Sequence, residues 1–327
     1  MNEKYTPPFV ITPKILNLVV EICENLKILN LNNKHILTPH LRKKNRIKTI
    51  RATLAIENNT LNLQQVSAII EGKAVLGDKN EILEVKNAFN AYEKIMDFNA
   101  LSIKDLLKAH AIMMQGLIKD NGKFRQDSVG IFKDKKLIHL PPPANFIESH
   151  IKNLLSWYKK SELHALIKSS IFHYEFEFIH PFSDGNGRIG RMWQSKLLGI
   201  YNEVFYFLPI EEIIKKTQKK YYKALSDSDK SASSEIFVEY MLDSILKAIK
   251  ELKNDPLNVA INVSINNTQK AILKLIKNKP NITQKEIATK LNLSLKTINR
   301  AISNLTTKGY IERIGAKKSG YYKILKN

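Results

Sequence analysis

Residues 180–191 read His180-Pro181-Phe182-Ser183-Asp184-Gly185-Asn186-Gly187-Arg188-Ile189-Gly190-Arg191. Upstream, Ile167, Ile171, Tyr174 and Phe178 recur at helical spacing; downstream, Ile189, Trp193, Leu197 and Tyr201 do the same. The stretch is therefore a glycine-rich loop between two helices. The first turn of the second helix leaves backbone amides without helical partners, which makes the loop mouth an anion site. Gly185 and Gly187 are expected to let the backbone take positive φ and approach a phosphate without a Cβ in the way.

The side chains of the loop fit the same chemistry. Asp184 offers a hard oxygen suited to Mg²⁺, which binds few carboxylates together with phosphate oxygens. Arg188 and Arg191 lie three apart at the start of the second helix. The chain holds only 8 Arg against 44 Lys, so two Arg here point to planar, bidentate phosphate recognition. His180 is placed as a general base working near neutral pH. Phe182 is expected to anchor the loop in the core.

Outward from the loop, composition bounds the rest. The chain has 327 residues, 43% hydrophobic and 25% charged, enough for two or three domains with buried cores. No apolar run reaches the length of a bilayer crossing, and MNEKYTPPFV lacks a signal-peptide core, so a cytoplasmic protein with no membrane partner is expected. A single cysteine, Cys23, excludes an internal disulfide and a Cys-rich zinc site, and its apolar helical setting suggests a buried, inert thiol. The net charge of +21 suggests polyanionic partners, although the excess of Lys, Asn and Ile also reads as a bias towards A/T-rich codons. Residues 268–327 carry 14 Lys and Arg against Glu286 and Glu312 alone.

Helical spacing dominates to residue 252, with brief strand-like alternation at Lys133–Leu140. The expected fold is mainly α. It comprises an N-terminal helical region over 1–100, a helical core with a small β-hairpin over 101–252, a linker over 253–267 and a further domain over 268–327. In that last domain, helices over Thr268–Ile276, Lys285–Lys290 and Leu295–Leu305 precede two strands, Tyr310–Arg313 and Tyr321–Leu325, around a basic turn. Three helices and a hairpin make a winged helix-turn-helix. Its third helix presents Ser294, Lys296, Thr297, Asn299, Arg300 and Ser303, a set suited to phosphates and base edges of DNA.

The pattern His180-x-Phe182-x-Asp184-Gly185-Asn186-Gly187-Arg188-x-x-Arg191 resembles the signature of Fic-domain proteins at all eight specified positions, a coincidence on the order of 10⁻⁸ for one chain. The resemblance extends over about residues 8–250. Gly122-Lys123-Phe124-Arg125 and the segment through Ile138-His139-Leu140-Pro141-Pro142 look like the family's lead-in and its hairpin flap. His173-Tyr174-Glu175-Phe176 resembles the helix before the motif, and Tyr221-Tyr222 its paired aromatics.

The resemblance implies transfer of AMP from Mg-ATP to a Ser, Thr or Tyr hydroxyl of a protein target or of the chain itself, releasing pyrophosphate. In it His180 deprotonates the hydroxyl and Asp184 binds the metal. Gly185, Asn186 and Gly187 hold the α-phosphate, Arg188 meets the β-phosphate and Arg191 the γ-phosphate. The flap, Lys133, Asp134, Lys135, Lys136, Leu137, Ile138 and His139, would dock the target by backbone pairing. Upstream, Thr53-Leu54-Ala55-Ile56-Glu57-Asn58 resembles the family's inhibitory-helix pattern, which places such a helix near 47–58 with Thr53, Glu57 and Asn58 as its inhibitory residues. Other readings stay open: a DNA-binding transcriptional regulator whose nucleotide site senses nucleotide or modifies only itself, an enzyme that removes AMP, or one that transfers a different phosphate-containing group. Self-association as a homo-oligomer also stays open.

Overall fold

Two N-terminal helices, α1 (Pro13–Asn32) and α2 (Pro39–Ile56), begin at prolines, whose missing N–H and fixed φ suit the first helical position. The computed structural model describes residues 5–32, 39–133, 136–254, 267–307, 310–315 and 320–325. The stretch expected near 47–58 is the second half of α2. Its first half was hard to read because cationic side chains cover apolar ones: Arg42 lies 4.7 Å from the centroid of Phe207, and Arg46 5.1 Å from that of Tyr92. The helix stops in a Schellman turn. Asn58 takes φ 73°, its N–H donates to the Ala55 carbonyl at 3.2 Å, and the Asn59 N–H donates to the Leu54 carbonyl at 3.1 Å.

Side-chain caps set the next starts. Asn62 and Gln65 form a capping box on α3 (Leu63–Ile70), Asp78 caps α4 (Lys79–Glu93) and Ser102 caps α5 (Ile103–Met113). An antiparallel hairpin of β1 (Ile131–Lys133) and β2 (Lys136–His139) follows, with Phe132 opposite Leu137. Then come α6 (Ile147–Lys160), α7 (Ala165–Ile179), α8 (Asn186–Tyr201), α9 (Ile210–Lys216), α10 (Gln218–Ser231) and α11 (Glu235–Asn254).

Met1–Leu252 forms one compact unit, and residue 100 does not divide it. It holds two apolar clusters. One packs Leu54, Val85, Leu106, Ile151, Phe176, Phe182 and Trp193; the other packs Ile15, Ile22, Ile171, Leu198, Phe237, Met241 and Ile245. Helices α7 and α8 supply residues to both, so α7 is buried around most of its circumference and not along a single stripe. Among its buried polar groups, His173 bonds Gln194 Oε1 at 2.5 Å and the Tyr221 hydroxyl at 3.1 Å. Cys23 is half-buried, 3.8 Å from both His164 and Tyr201, and so is more accessible than expected.

Lys253–Asn327 forms the second unit. Helices α12 (Asn267–Asn278), α13 (Gln284–Leu291) and α14 (Leu295–Thr307) precede β3 (Ile311–Ile314) and β4 (Tyr321–Ile324), which pair antiparallel with Ile311 opposite Ile324. Ile272, Ile276, Ile287, Ile298, Leu305, Ile311 and Tyr322 make its core, and a Thr283–Glu286 capping box starts α13. The fold is mainly α with a C-terminal winged helix. The expected linker has helical ends, since α11 reaches Asn254 and α12 starts at Asn267; residues 255–266 lie outside those described. Among the described residues, no helix is long and apolar enough to cross a membrane.

Candidate active site

Helix α7 ends at His180, which takes a left-handed conformation (φ 49°) unusual for a side chain of this size. Arg125, 2% exposed, holds that turn in place. Its guanidinium donates to the carbonyls of His180 (2.8 Å), Asp127 (2.9 Å) and Pro142 (2.6 Å), and its N–H donates to the Pro181 carbonyl at 3.0 Å. Phe182 is fully buried and stacks on His110 with centroids 3.7 Å apart. The Gly122 N–H donates to His110 Nδ1 at 2.8 Å, so Nε2 carries the proton and donates to the Asp184 carbonyl at 2.9 Å. Burial pushes His110 down to about 4, which keeps it neutral in this role.

The loop closes on Asn186. Its side chain accepts from the Phe182 N–H at 2.9 Å and donates to the Phe182 carbonyl at 2.8 Å, so the side chain is committed to the loop itself. Gly185 precedes α8 at φ 85°, where a Cβ would meet Met114 Sδ at 2.7 Å. Gly187 differs from expectation: it is helical and lacks positive φ. Its missing side chain serves close approach instead, because a Cβ there would lie 2.5 Å from Glu57 Oε1.

Both motif arginines are buried and held. Arg188 donates to Glu84 Oε1 at 2.9 Å and to Asp184 Oδ1 at 3.1 Å. Arg191, with 2% of its side chain exposed, donates from Nε to the Thr53 hydroxyl at 2.9 Å and from Nη2 to the Thr53 carbonyl (3.2 Å) and Glu57 Oε1 (2.6 Å). Burial pulls the Arg191 guanidinium down, but the charge of Glu57, with Tyr221 and Glu177, carries it above its ordinary range. Asn58 is exposed and takes the left-handed conformation of the turn that follows Glu57.

A cleft of about 250 Å³ opens beside these groups, lined by His180, Arg191, Gly187, Glu57 and Tyr222 among others. His180 faces it with its pKa lowered by burial, the charge of Glu177 opposing, and its Nδ1 is buried without a hydrogen-bond partner among the described residues. The last flap residue, His139, lines the cleft too. Its Nε2 meets the Phe178 carbonyl at 2.8 Å and its Nδ1 meets Asp229 Oδ2 at 3.1 Å. Both nitrogens face acceptors, which favours the imidazolium: burial lowers its pKa, but Asp229 and the Phe178 carbonyl raise it above the ordinary histidine value.

Asp184, 58% exposed, is the one motif carboxylate at the loop mouth. Among the described residues no cluster of three or more His, Cys, Asp or Glu could cage a metal. A single exposed carboxylate next to free helix-start amides fits Mg²⁺ that arrives already coordinated by phosphate oxygens.

Of the expected flap, Asp134 and Lys135 lie outside the described residues, while Lys133 and Lys136–His139 are strand residues. In the second unit, Ser294, Lys296, Thr297, Asn299, Arg300 and Ser303 are all exposed at or along α14. Ser294 Oγ accepts from the Thr297 N–H at 3.1 Å, so part of that set caps the helix. Sequence reasoning gave no role to Arg125, His110, Glu84 or Asp229. Arg125 was the most findable, as a rare arginine in this lysine-rich chain.

Comparison with known proteins agrees with this geometry. The Fic/DOC family model matches residues 100–198, and a model described as winged helix-turn-helix DNA-binding matches residues 265–312. The crystal structure of a Fic family protein from Desulfovibrio desulfuricans G20 is 39% identical, with a TM-score of 0.74, and the match covers 98% of each chain. Proteins named protein adenylyltransferase Fic are 28% identical over 156 residues in Nematostella vectensis and over 184 residues in Culex quinquefasciatus, 44% and 51% of this chain. The match spans 35% of the length of each of those two proteins. A Caenorhabditis elegans Fic-1 structure, 20% identical with a TM-score of 0.58 over 72% of each chain, shares the fold.

Proposed function

This chain belongs to the Fic/DOC family, and on that premise we propose that it is a self-inhibited protein adenylyltransferase, moving AMP from Mg-ATP to a Ser, Thr or Tyr hydroxyl of a target protein or of itself. One observation carries the reading: His180, the start of α8, Arg191 and Glu57 converge on one cleft, a base and a phosphate cradle with a carboxylate laid across it. In the reaction, His180 takes the proton of the target hydroxyl, whose oxygen bonds to the α-phosphorus as the bond to the β-phosphate's bridging oxygen breaks and pyrophosphate leaves. The α8 amides stabilise charge on the α-phosphate, and the two arginines grip the phosphates beyond it. Glu57 occupies Arg191 and so displaces the γ-phosphate. Incubating the chain and a lysate with ATP labelled on the α-phosphate, and in parallel on the γ-phosphate, tests this. Label on protein supports it; label that enters only from the γ-phosphate, or none in a variant relieved of Glu57, rejects it. Label confined to the chain itself would favour the regulator reading.

Asp184 would hold Mg²⁺, which supplies neutralising charge to the phosphates. Asp184→Ala is expected to lower the labelling rate about 100-fold and to flatten its dependence on Mg²⁺. Rates measured across a Mg²⁺ series check this, and an unchanged metal profile would move the ligand role elsewhere.

For the second unit we propose DNA binding, supported by the exposed polar face of α14 and the basic balance of residues 268–327. The intact chain should bind duplex DNA with log K falling linearly against log salt, at a slope of about −0.9 per phosphate contacted. Arg300→Ala is expected to weaken preferred sequences by about 1–3 kcal/mol, read by competition against random duplexes. Binding indifferent to salt would instead favour a protein partner. We propose the cytoplasm as the chain's site of action, where ATP is at hand.

A further inference from the structure

Glu84 lies on α4, far from the motif in sequence, and the reaction above gives it no task. Its side chain nevertheless reaches the phosphate cradle. Oε1 accepts from Arg188 Nη1 at 2.9 Å, and Oε2 accepts from Asn59 Nδ2 at 2.8 Å. Asn59 is the residue whose N–H closes the Schellman turn of α2, and its own Nδ2 also reaches the Glu81 carbonyl at 3.2 Å. The turn that aims Glu57 at Arg191 thus also ties Asn59, through Glu84, to Arg188.

The state of Arg188 shows what this contact does. Its side chain is 5% exposed, Nη2 is bonded to Asp184 Oδ1, and Nε is buried with no hydrogen-bond partner among the described residues. Glu84 therefore grips the guanidinium at Nη1 and leaves the opposite Nε–Nη2 edge facing Asp184. That edge has the spacing for two parallel bonds to phosphate oxygens. A buried guanidinium with two bonded nitrogens and one orphaned donor is held in one orientation, with an edge that can take a further acceptor.

We propose that Glu84 is a positioning residue for the β-phosphate of the nucleotide: it fixes Arg188 with its Nε–Nη2 edge toward the loop mouth, and through Asn59 it couples that orientation to the end of α2. The inference rests on the cleft being the ATP site. A phosphate entering the loop replaces Asp184 on Nη2 and satisfies Nε, while Asp184 turns to the cation carried by the triphosphate. Without Glu84 the guanidinium keeps its charge but loses its orientation, and only ligands with a phosphate beyond the α-position sense the loss.

The test is calorimetric titration of the full chain carrying Glu57→Gly with ATP, ADP and AMP in Mg²⁺ buffer. Adding Glu84→Ala should weaken ATP and ADP about 10-fold, the size of one charged hydrogen bond, and leave AMP unchanged. Glu84→Gln, which keeps an acceptor for Nη1, should fall between, and Asn59→Ala should reproduce part of the loss. Equal weakening of all three nucleotides would reveal a merely structural role and overturn the proposal, as would unchanged ATP binding. A parent that binds ATP yet labels no protein would sink the transferase reading, while the ATP-to-AMP comparison still decides the role of Glu84. A parent that binds none of the three nucleotides overturns both.

Discussion

Glu57→Gly is expected to raise self-labelling from α-labelled ATP about 100-fold over the wild-type chain. The Glu57 carboxylate lies 2.6 Å from Arg191 Nη2 and is supported by Thr53, which takes the Nε and shares Nη2 of the same guanidinium. Every donor that Arg191 could aim at a γ-phosphate from this edge is thereby occupied. On the proposed mechanism ATP then enters only with its triphosphate displaced, and a displacement of about 1 Å at the α-phosphorus costs on the order of 10² in rate. Removing the carboxylate returns the guanidinium to the phosphate.

The same change carries a stability signature. Arg191 stays buried, so losing Glu57 leaves its charge partly uncompensated and should lower the melting temperature of the nucleotide-free protein. ATP should then stabilise Glu57→Gly more than wild type, because it restores the missing anion. Arg191→Ala added to Glu57→Gly should abolish both the labelling and the extra stabilisation. Equal labelling by wild type and Glu57→Gly would remove the self-inhibition claim.

Residues 180–191 were legible because their arrangement is local: a single loop and one helix start position His180, Asp184 and both arginines. Glu57 is different. It meets Arg191 across 134 positions, and only its resemblance to a known pattern links the two before folding is seen. Arg125 stands out as a rare arginine, but its task, like that of His110, was illegible for another reason. Their partners are backbone carbonyls and amides, which every residue has, so no side-chain pattern marks the pairing. Glu84 sits in an ordinary charged helix, and its task depends on where α2 ends. Gly187 was expected to take positive φ and is helical instead, since a glycine's letter does not distinguish positive φ from close approach. The winged helix was read nearly to the residue because its caps, Thr283 and Ser294, are side-chain signals.

His180→Ala, made in the Glu57→Gly chain, is expected to lower labelling by about 10²–10⁴ while leaving ATP affinity near that of its parent. In the proposed reaction the imidazole meets the target hydroxyl and not the triphosphate, so its loss should fall on the transition state and not on nucleotide binding. Alanine also relaxes the left-handed turn no further than histidine did, and Arg125 still holds the carbonyl of residue 180. The pH profile gives an independent check. A general base must be neutral to accept a proton, and burial lowers the pKa of His180, with the charge of Glu177 opposing in part. The neutral form therefore predominates at pH 7, and the rate of Glu57→Gly should stay level from pH 8 down through pH 7. It should fall only on the acid side of the ordinary histidine value of about 6.5. The residual rate of His180→Ala should lack that acid limb. If the alanine variant keeps its parent's rate, or if parent and variant share the limb, the base lies elsewhere and His180 serves only to shape the loop.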